Sequence, residues 1–65
     1  MTKKQRKLLL IADGGEVLFR SELLFKYEIS PSVADKLVSQ GLLSKKKYGV
    51  IMYQITPQGK SALGL

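Results

Sequence analysis

Residues 29–60, ISPSVADKLVSQGLLSKKKYGVIMYQITPQGK, change from a helical to an extended pattern once, and that change decides the fold. The segment opens with Ser30-Pro31, which is typical of a helix start. Serine caps free backbone amides, and proline at the first helical position lacks only an N–H that would have no partner there. The pattern predicts a helix over residues 31–40 that Gly41 closes, with an extended segment after it.

The extended segment predicts a β-hairpin. Residues 50–55 are β-branched and aromatic, and Tyr48-Gly49 is a plausible turn between two strands. Lys45, Lys46 and Lys47 precede that turn, so we expect a hairpin with a basic tip.

A terminal helix should follow the hairpin. Thr56-Pro57 repeats the cap-plus-proline start of Ser30-Pro31, and it predicts a short helix over residues 57–65 that Gly59 and Gly64 weaken.

The chain before residue 29 supplies two further helices. Residues 2–12 are good helix formers that end at Gly14-Gly15, and Thr2 is their candidate N-cap. Residues 16–19 are β-prone, and Ser21 can cap a helix over residues 22–27. The predicted fold is therefore α+β, a single domain over residues 1–65 with a three-helix core and a C-terminal hairpin.

Length and composition exclude several classes of function. A chain of 65 residues without cysteine or histidine has no disulfides, no thiolate nucleophile, no zinc finger and no histidine base. We expect a protein that is not an enzyme and has no cofactor or metal. The longest apolar run, residues 8–12, is far below the ~20 residues that cross a bilayer, so we expect a soluble cytoplasmic protein.

The net charge of +6 is unevenly distributed. Residues 1–12 carry four basic and no acidic side chains, residues 13–36 carry three basic and five acidic ones, and residues 37–65 carry four basic and none acidic. An excess of lysine and arginine favours a polyanionic partner, and here the two ends of the chain supply it.

Four segments together resemble the winged helix-turn-helix family of small prokaryotic or phage regulators. They are SELL at 21–24, ISPS at 29–32, LVSQGLL at 37–43 and YQITPQGK at 53–60. The resemblance covers almost the whole chain. It implies a winged-helix transcriptional regulator that binds double-stranded DNA, with the helix after Ser30 in the major groove and the hairpin, or wing, on the flanking backbone.

The resemblance also implies contact residues. Those on the helix are Ser32, Asp35, Lys36 and Ser39, and those on the wing are Lys45, Lys46, Lys47 and Tyr48. The helix offers no arginine, asparagine or early glutamine for bidentate base contacts, and Asp35 places a negative charge near phosphates. Charge therefore favours phosphate contacts by the wing over strong base reading by the helix.

Alternatives stay open for several of these residues. The three lysines also suit a solvated edge strand, where they prevent pairing with a neighbour, and Tyr48 could pack across the strands. Tyr53 is predicted to lie in the core. The main alternative function is a winged-helix protein-interaction module or dimerising adaptor, through the apolar residues Leu8, Ile11, Leu63 and Leu65.

Overall fold

The computed structural model describes residues 1–64, in which helices and strands follow one another in the predicted order. The elements are α1 (Lys3–Asp13), β1 (Leu18–Phe19), α2 (Arg20–Tyr27), α3 (Pro31–Ser39), β2 (Leu43–Tyr48), β3 (Val50–Ile55) and α4 (Pro57–Ala62). The α+β class and the hairpin after the third helix are confirmed. Within residues 1–64, no helix is long and apolar enough to cross a membrane.

A capping box fixes the start of α1. The Thr2 hydroxyl accepts from the Gln5 amide at 3.1 Å, and the Gln5 side-chain oxygen accepts from the Thr2 amide at 2.9 Å. The helix then buries Leu8, Leu9 and Ala12 in the core. The predicted cap at Thr2 is thus confirmed.

The start of α2 differs from the prediction. The helix begins at Arg20, directly after β1, and Phe19 is its N-cap residue without a side-chain hydrogen bond. Ser21 therefore lies inside the first turn and does not cap the helix.

The turn between α2 and α3 uses one residue in the left-handed region. Glu28, with φ of 56°, ends α2, and Ile29 then enters the core. Pro31 occupies the first turn of α3 as predicted, but Ser30 makes no capping bond. Its hydroxyl lies 3.0 Å from that of Ser32. Ser30 is thus the N-cap residue of α3 as predicted, but the predicted capping bond from its side chain is wrong.

The sheet has the order β1-β3-β2, with all strands antiparallel. Pairing of β2 with β3 continues as far as Tyr48 opposite Val50, and Gly49 makes the turn with φ of 74°. The predicted basic tip is therefore wrong, because the three lysines lie within β2 and only Tyr48, Gly49 and Val50 form the tip.

The junction of the hairpin with α4 explains the Thr56-Pro57 motif. The Thr56 hydroxyl accepts from the Gly59 amide at 3.0 Å and donates to the Gly41 carbonyl at 2.7 Å. A β-carbon on Gly59 would collide with the backbone carbonyl oxygen of Leu42. Gly59 was expected only to weaken the helix, but its small size lets α4 pack against the base of the hairpin.

Candidate nucleic-acid interface

The exposed face of α3 carries the predicted helix contacts in one stripe. Ser32, Lys36 and Ser39 follow one another at helical spacings of four and three residues, and all three are exposed. The Ser39 hydroxyl donates to the Lys36 carbonyl at 2.7 Å, so its proton is engaged within the helix. The buried face of the same helix is formed by Ala34 and Leu37. The amphipathic spacing of α3 therefore places the Ser32, Lys36 and Ser39 stripe on the exposed side of the helix.

Asp35 lies beside this stripe in a cluster that joins three elements. The Arg20 Nη1 atom, at the start of α2, donates to its carboxylate at 2.7 Å from Oδ2 and 2.8 Å from Oδ1. Tyr53 Oη, from β3, accepts from Arg20 Nη1 at 2.6 Å and donates to Asp35 Oδ1 at 2.8 Å. The carboxylate on the candidate interface is therefore held by an arginine and a tyrosine.

The cluster shifts the ionisation of its members in consistent directions. The hydrogen bond from Arg20 lowers the pKa of the Asp35 carboxyl, with a smaller contribution in the same direction from Tyr53. Burial raises the pKa of the Tyr53 phenol, and its hydrogen bond to Asp35 adds to that shift. At neutral pH the cluster consequently holds an ionised carboxylate and a neutral phenol.

Strand alternation divides the lysines of β2 between two faces of the sheet. Lys45 is opposite Tyr53 and Lys47 opposite Ile51, so both share the face that carries the buried Tyr53 and packs on the helices. Lys45 Nζ lies 3.9 Å from Asp35 Oδ1. The structure therefore brings Lys45 next to α3.

Lys46 and Tyr48 belong to the other face. Lys46 is opposite Met52 and Tyr48 is opposite Val50, and both side chains are exposed, Tyr48 by 73%. Three consecutive lysines that the sequence presents as one group are thus two groups in the structure.

Arg20 is the residue of this site that the sequence did not reveal. It precedes Asp35 by fifteen positions, and the packing of α2 against α3 and β3 brings the two together. The sequence held one weak indication of such a residue. Asp35 lies on a face expected to meet phosphates, and a carboxylate in that position is usually paired with a nearby basic side chain.

The structure corrects the predicted apolar partner surface. Leu8 and Leu63 lie in the core, Ile11 is half-buried against it, and Leu65 lies outside the described residues. A domain of this size needs these side chains for its own packing, so the buried Leu8 and Leu63 have no surface to offer a partner. Leu10 is the exposed apolar residue of α1.

A different apolar surface lies between α2 and the hairpin tip. Leu24, Phe25 and Val50 are exposed there, Phe25 by 88%, and they line one open groove. The remaining lining residues are Arg20, Ser21, Pro31, Gly49 and Ile51. This groove adjoins the Arg20 end of the cluster.

Two of the five acidic residues are paired with basic ones in the structure. Asp35 pairs with Arg20, and Glu16 accepts from the Tyr27 hydroxyl at 2.7 Å and lies 4.0 Å from Lys26 Nζ. Across residues 1–64, no cluster of three or more carboxylates could hold a metal ion.

Comparison with known proteins identifies the fold. No family model matches the chain, and no curated protein matches it. Among solved structures, it resembles BpsR of Bordetella bronchiseptica, described in a study of how 6-hydroxynicotinic acid regulates its DNA binding, with a TM-score of 0.81 at 16% identity. It also resembles the adhesin competence repressor AdcR of Streptococcus pyogenes, with a TM-score of 0.80 at 21% identity.

A third similar structure is that of the hsRosR-S4 complex, with a TM-score of 0.74 at 24% identity. Each match covers 98% of this chain, which spans 50%, 53% and 65% of the BpsR, AdcR and hsRosR-S4 chains. The winged-helix fold expected from the sequence is thereby confirmed.

Proposed function

We propose that the chain is a duplex DNA-binding protein that acts as a transcriptional regulator, with α3 in the major groove and the β2 lysines on the phosphate backbone. The observation that carries this proposal is the 3.9 Å distance between Lys45 Nζ on β2 and Asp35 Oδ1 on α3, which places the lysine strand next to the helix that carries the exposed stripe. In winged helices the recognition helix and the wing act together, so their contact surfaces have to adjoin.

Charge supports the same surface. Arg20 and Lys45 lie beside the Asp35 carboxylate, and Lys36 on α3 and Lys47 on the helix-facing side of β2 add two further positive charges, so the proposed surface keeps a positive excess after pairing. Lysine contacts to phosphate supply affinity that is independent of sequence and sensitive to salt. Arg20 joins the proposed contacts for this reason.

The polar residues of α3 supply the weaker part of the recognition. Ser32 and Ser39 can hydrogen-bond to base edges or phosphates, but neither makes the bidentate contact that separates one base from another. We propose that base reading by α3 is modest and that the lysines position the protein.

Lys46 and Tyr48 hold the smaller share of the proposed contact. They lie on the sheet face away from α3, and Tyr48 at the hairpin tip can pack on a flanking sugar or phosphate. We expect Lys46 to contact a phosphate only where the hairpin tip lies against the DNA backbone.

The similar structures support this function from outside the chain. One is described as regulated in its DNA binding and another as a repressor. This chain corresponds to half to two thirds of those proteins, so their effectors and assembly are not transferred to it.

An NMR titration with a short duplex tests the proposal. At low salt we expect amide shifts concentrated in α3 and β2, and moderate salt should reduce them. Lys36→Ala should weaken binding, whereas Lys60→Ala on α4 serves as the matched control and should leave it nearly unchanged. Absence of shifts in both α3 and β2 at low salt would overturn the proposal.

A second candidate function is self-association, as in a dimerising adaptor, through the groove between α2 and the hairpin tip. The exposure of Leu24, Phe25 and Val50 in that groove favours it, because contiguous exposed apolar residues on a small domain mark contact sites. Sedimentation at high salt distinguishes the two functions. Self-association that resists salt and disappears in Phe25→Ser would support the second, and a salt-independent monomer would count against it.

A further inference from the structure

Asp35 lies in the middle of the proposed DNA-binding surface although it carries the charge that phosphates repel. Its carboxylate is 2.7 Å from Arg20 Nη1 and 3.9 Å from Lys45 Nζ, so one negative charge faces two of the four basic residues of the surface. The arginine and aspartate side chains remain 36% and 40% exposed, which keeps both within reach of an approaching phosphate.

Stability alone gives little reason for such a pair. Ion pairs that remain accessible to water contribute little to stability, because solvent screens them and ordering two side chains costs entropy. The same charge has a larger consequence for a polyanionic partner, since a DNA phosphate must compete with the carboxylate for Arg20 and Lys45 and is also repelled by it.

Tyr53 holds the carboxylate in this place. Its hydroxyl accepts from Arg20 and donates to Asp35, and its ring is buried in the core. The position of the negative charge is therefore set by the fold and does not depend on a bound partner.

From this geometry we infer that Asp35 is a built-in counter-ion that weakens phosphate binding by the interface. The inference rests on the proposed function. A DNA phosphate gains little attraction from Arg20 and Lys45, because Asp35 neutralises part of their positive charge.

Binding of Asp35→Asn to a random-sequence duplex, followed by fluorescence anisotropy over a salt series, tests the inference. Asparagine keeps the shape and an acceptor for Arg20 and Tyr53 but removes the charge. We expect binding about fivefold tighter at low salt, and a salt slope steeper by about one to two because Arg20 and Lys45 become available to phosphates.

Two further variants separate charge from structure. Tyr53→Phe keeps the Asp35 charge and should leave the salt slope unchanged. Combining Arg20→Gln with Asp35→Asn should remove part of the gain in affinity. Circular dichroism checks that each variant is folded, and Asp35→Ser replaces Asp35→Asn if the latter is not.

The possible results test the counter-ion role of Asp35 separately from DNA binding itself. If the unmodified protein binds the duplex and Asp35→Asn binds with the same affinity and slope, the counter-ion role is wrong while DNA binding stands. If the unmodified protein shows no binding even at low salt, the proposed function is wrong and the counter-ion role falls with it.

Discussion

On the helix-facing side of the hairpin, Tyr53 is fully buried and Lys45 lies 3.9 Å from Asp35, whereas on the opposite side Met52 is half-buried and Lys46 is exposed. The two sides alternate along the same strands, so neighbouring residues of one type have different surroundings. The sequence therefore locates basic charge in β2, and only the register of the strands shows which lysines adjoin α3.

The largest expected difference between the two faces is in stability. Tyr53→Ala removes a fully buried ring together with the hydroxyl that holds Arg20 and Asp35, and should cost about 3–5 kcal/mol in the free energy of unfolding. A domain of this size has a total stability of only ~3–5 kcal/mol, so we expect the variant to be largely unfolded at 25 °C.

Met52→Ala, one position away on the other face, is the matched control. We expect it to cost about 1 kcal/mol or less, because Met52 is only half-buried. Urea denaturation followed by circular dichroism measures both values, and equal losses for the two variants would mean that the faces do not differ in their contribution to the core.

The next difference is in DNA binding. Replacing Lys45 and Lys47 together by alanine should lower the salt slope of duplex binding by about one to two, because both lie on the face that adjoins α3 and Asp35 offsets part of the Lys45 charge. Lys46→Ala should change the slope by less than about one, since its side chain lies on the opposite face. Anisotropy at several salt concentrations, with thermal denaturation as the folding control, measures the slopes. Equal slopes for the double variant and Lys46→Ala would contradict the division of the lysines.

Much of the fold could be predicted because its signals are local. The change of period near Gly41 and the Tyr48-Gly49 turn locate α3 and the hairpin without knowledge of distant contacts. The distribution of basic charge along the chain could also be predicted, because it follows directly from the positions of the lysines and arginines in the sequence.

The two cap-plus-proline starts show the limit of such local signals. Thr56 caps α4 and also donates to the Gly41 carbonyl, whereas the Ser30 hydroxyl lies beside Ser32 and caps nothing. Proline fixes the helix start in both cases. Which hydroxyl bonds to the backbone depends on packing around it, and the sequence around Ser30-Pro31 does not reveal that.

The candidate site was less predictable because it is assembled over long distances. The division of the lysines follows from the register of β2 with β3, and Arg20 reaches Asp35 only after α2 packs on α3 and β3. Nothing in the local sequence distinguishes Arg20 from Arg6, the other arginine of the chain. The sequence does show that Asp35 puts a negative charge on a helix face expected to meet phosphates, and the structure shows that Arg20 and Tyr53 are its partners.

The smallest expected difference between the faces is their response to acid. The hydrogen bond from Arg20, aided by Tyr53 and Lys45, holds the pKa of Asp35 below its ordinary value of 3.8. A lowered pKa in the folded state stabilises the protein above the unfolded-state value, and this contribution disappears as the pH falls through the folded-state value. We therefore expect the free energy of unfolding to fall below about pH 4 more steeply in the unmodified protein than in Asp35→Asn.

Lys46→Ala is the control, because Lys46 lies on the face that has no carboxylate partner, and its stability should follow that of the unmodified protein as the pH falls. Denaturant titrations from neutral pH downward measure the difference, and it will be modest because the Asp35 side chain is 40% exposed and solvent screens its pairing. Parallel curves for the unmodified protein and Asp35→Asn would mean that the arginine and tyrosine position the carboxylate without stabilising the fold.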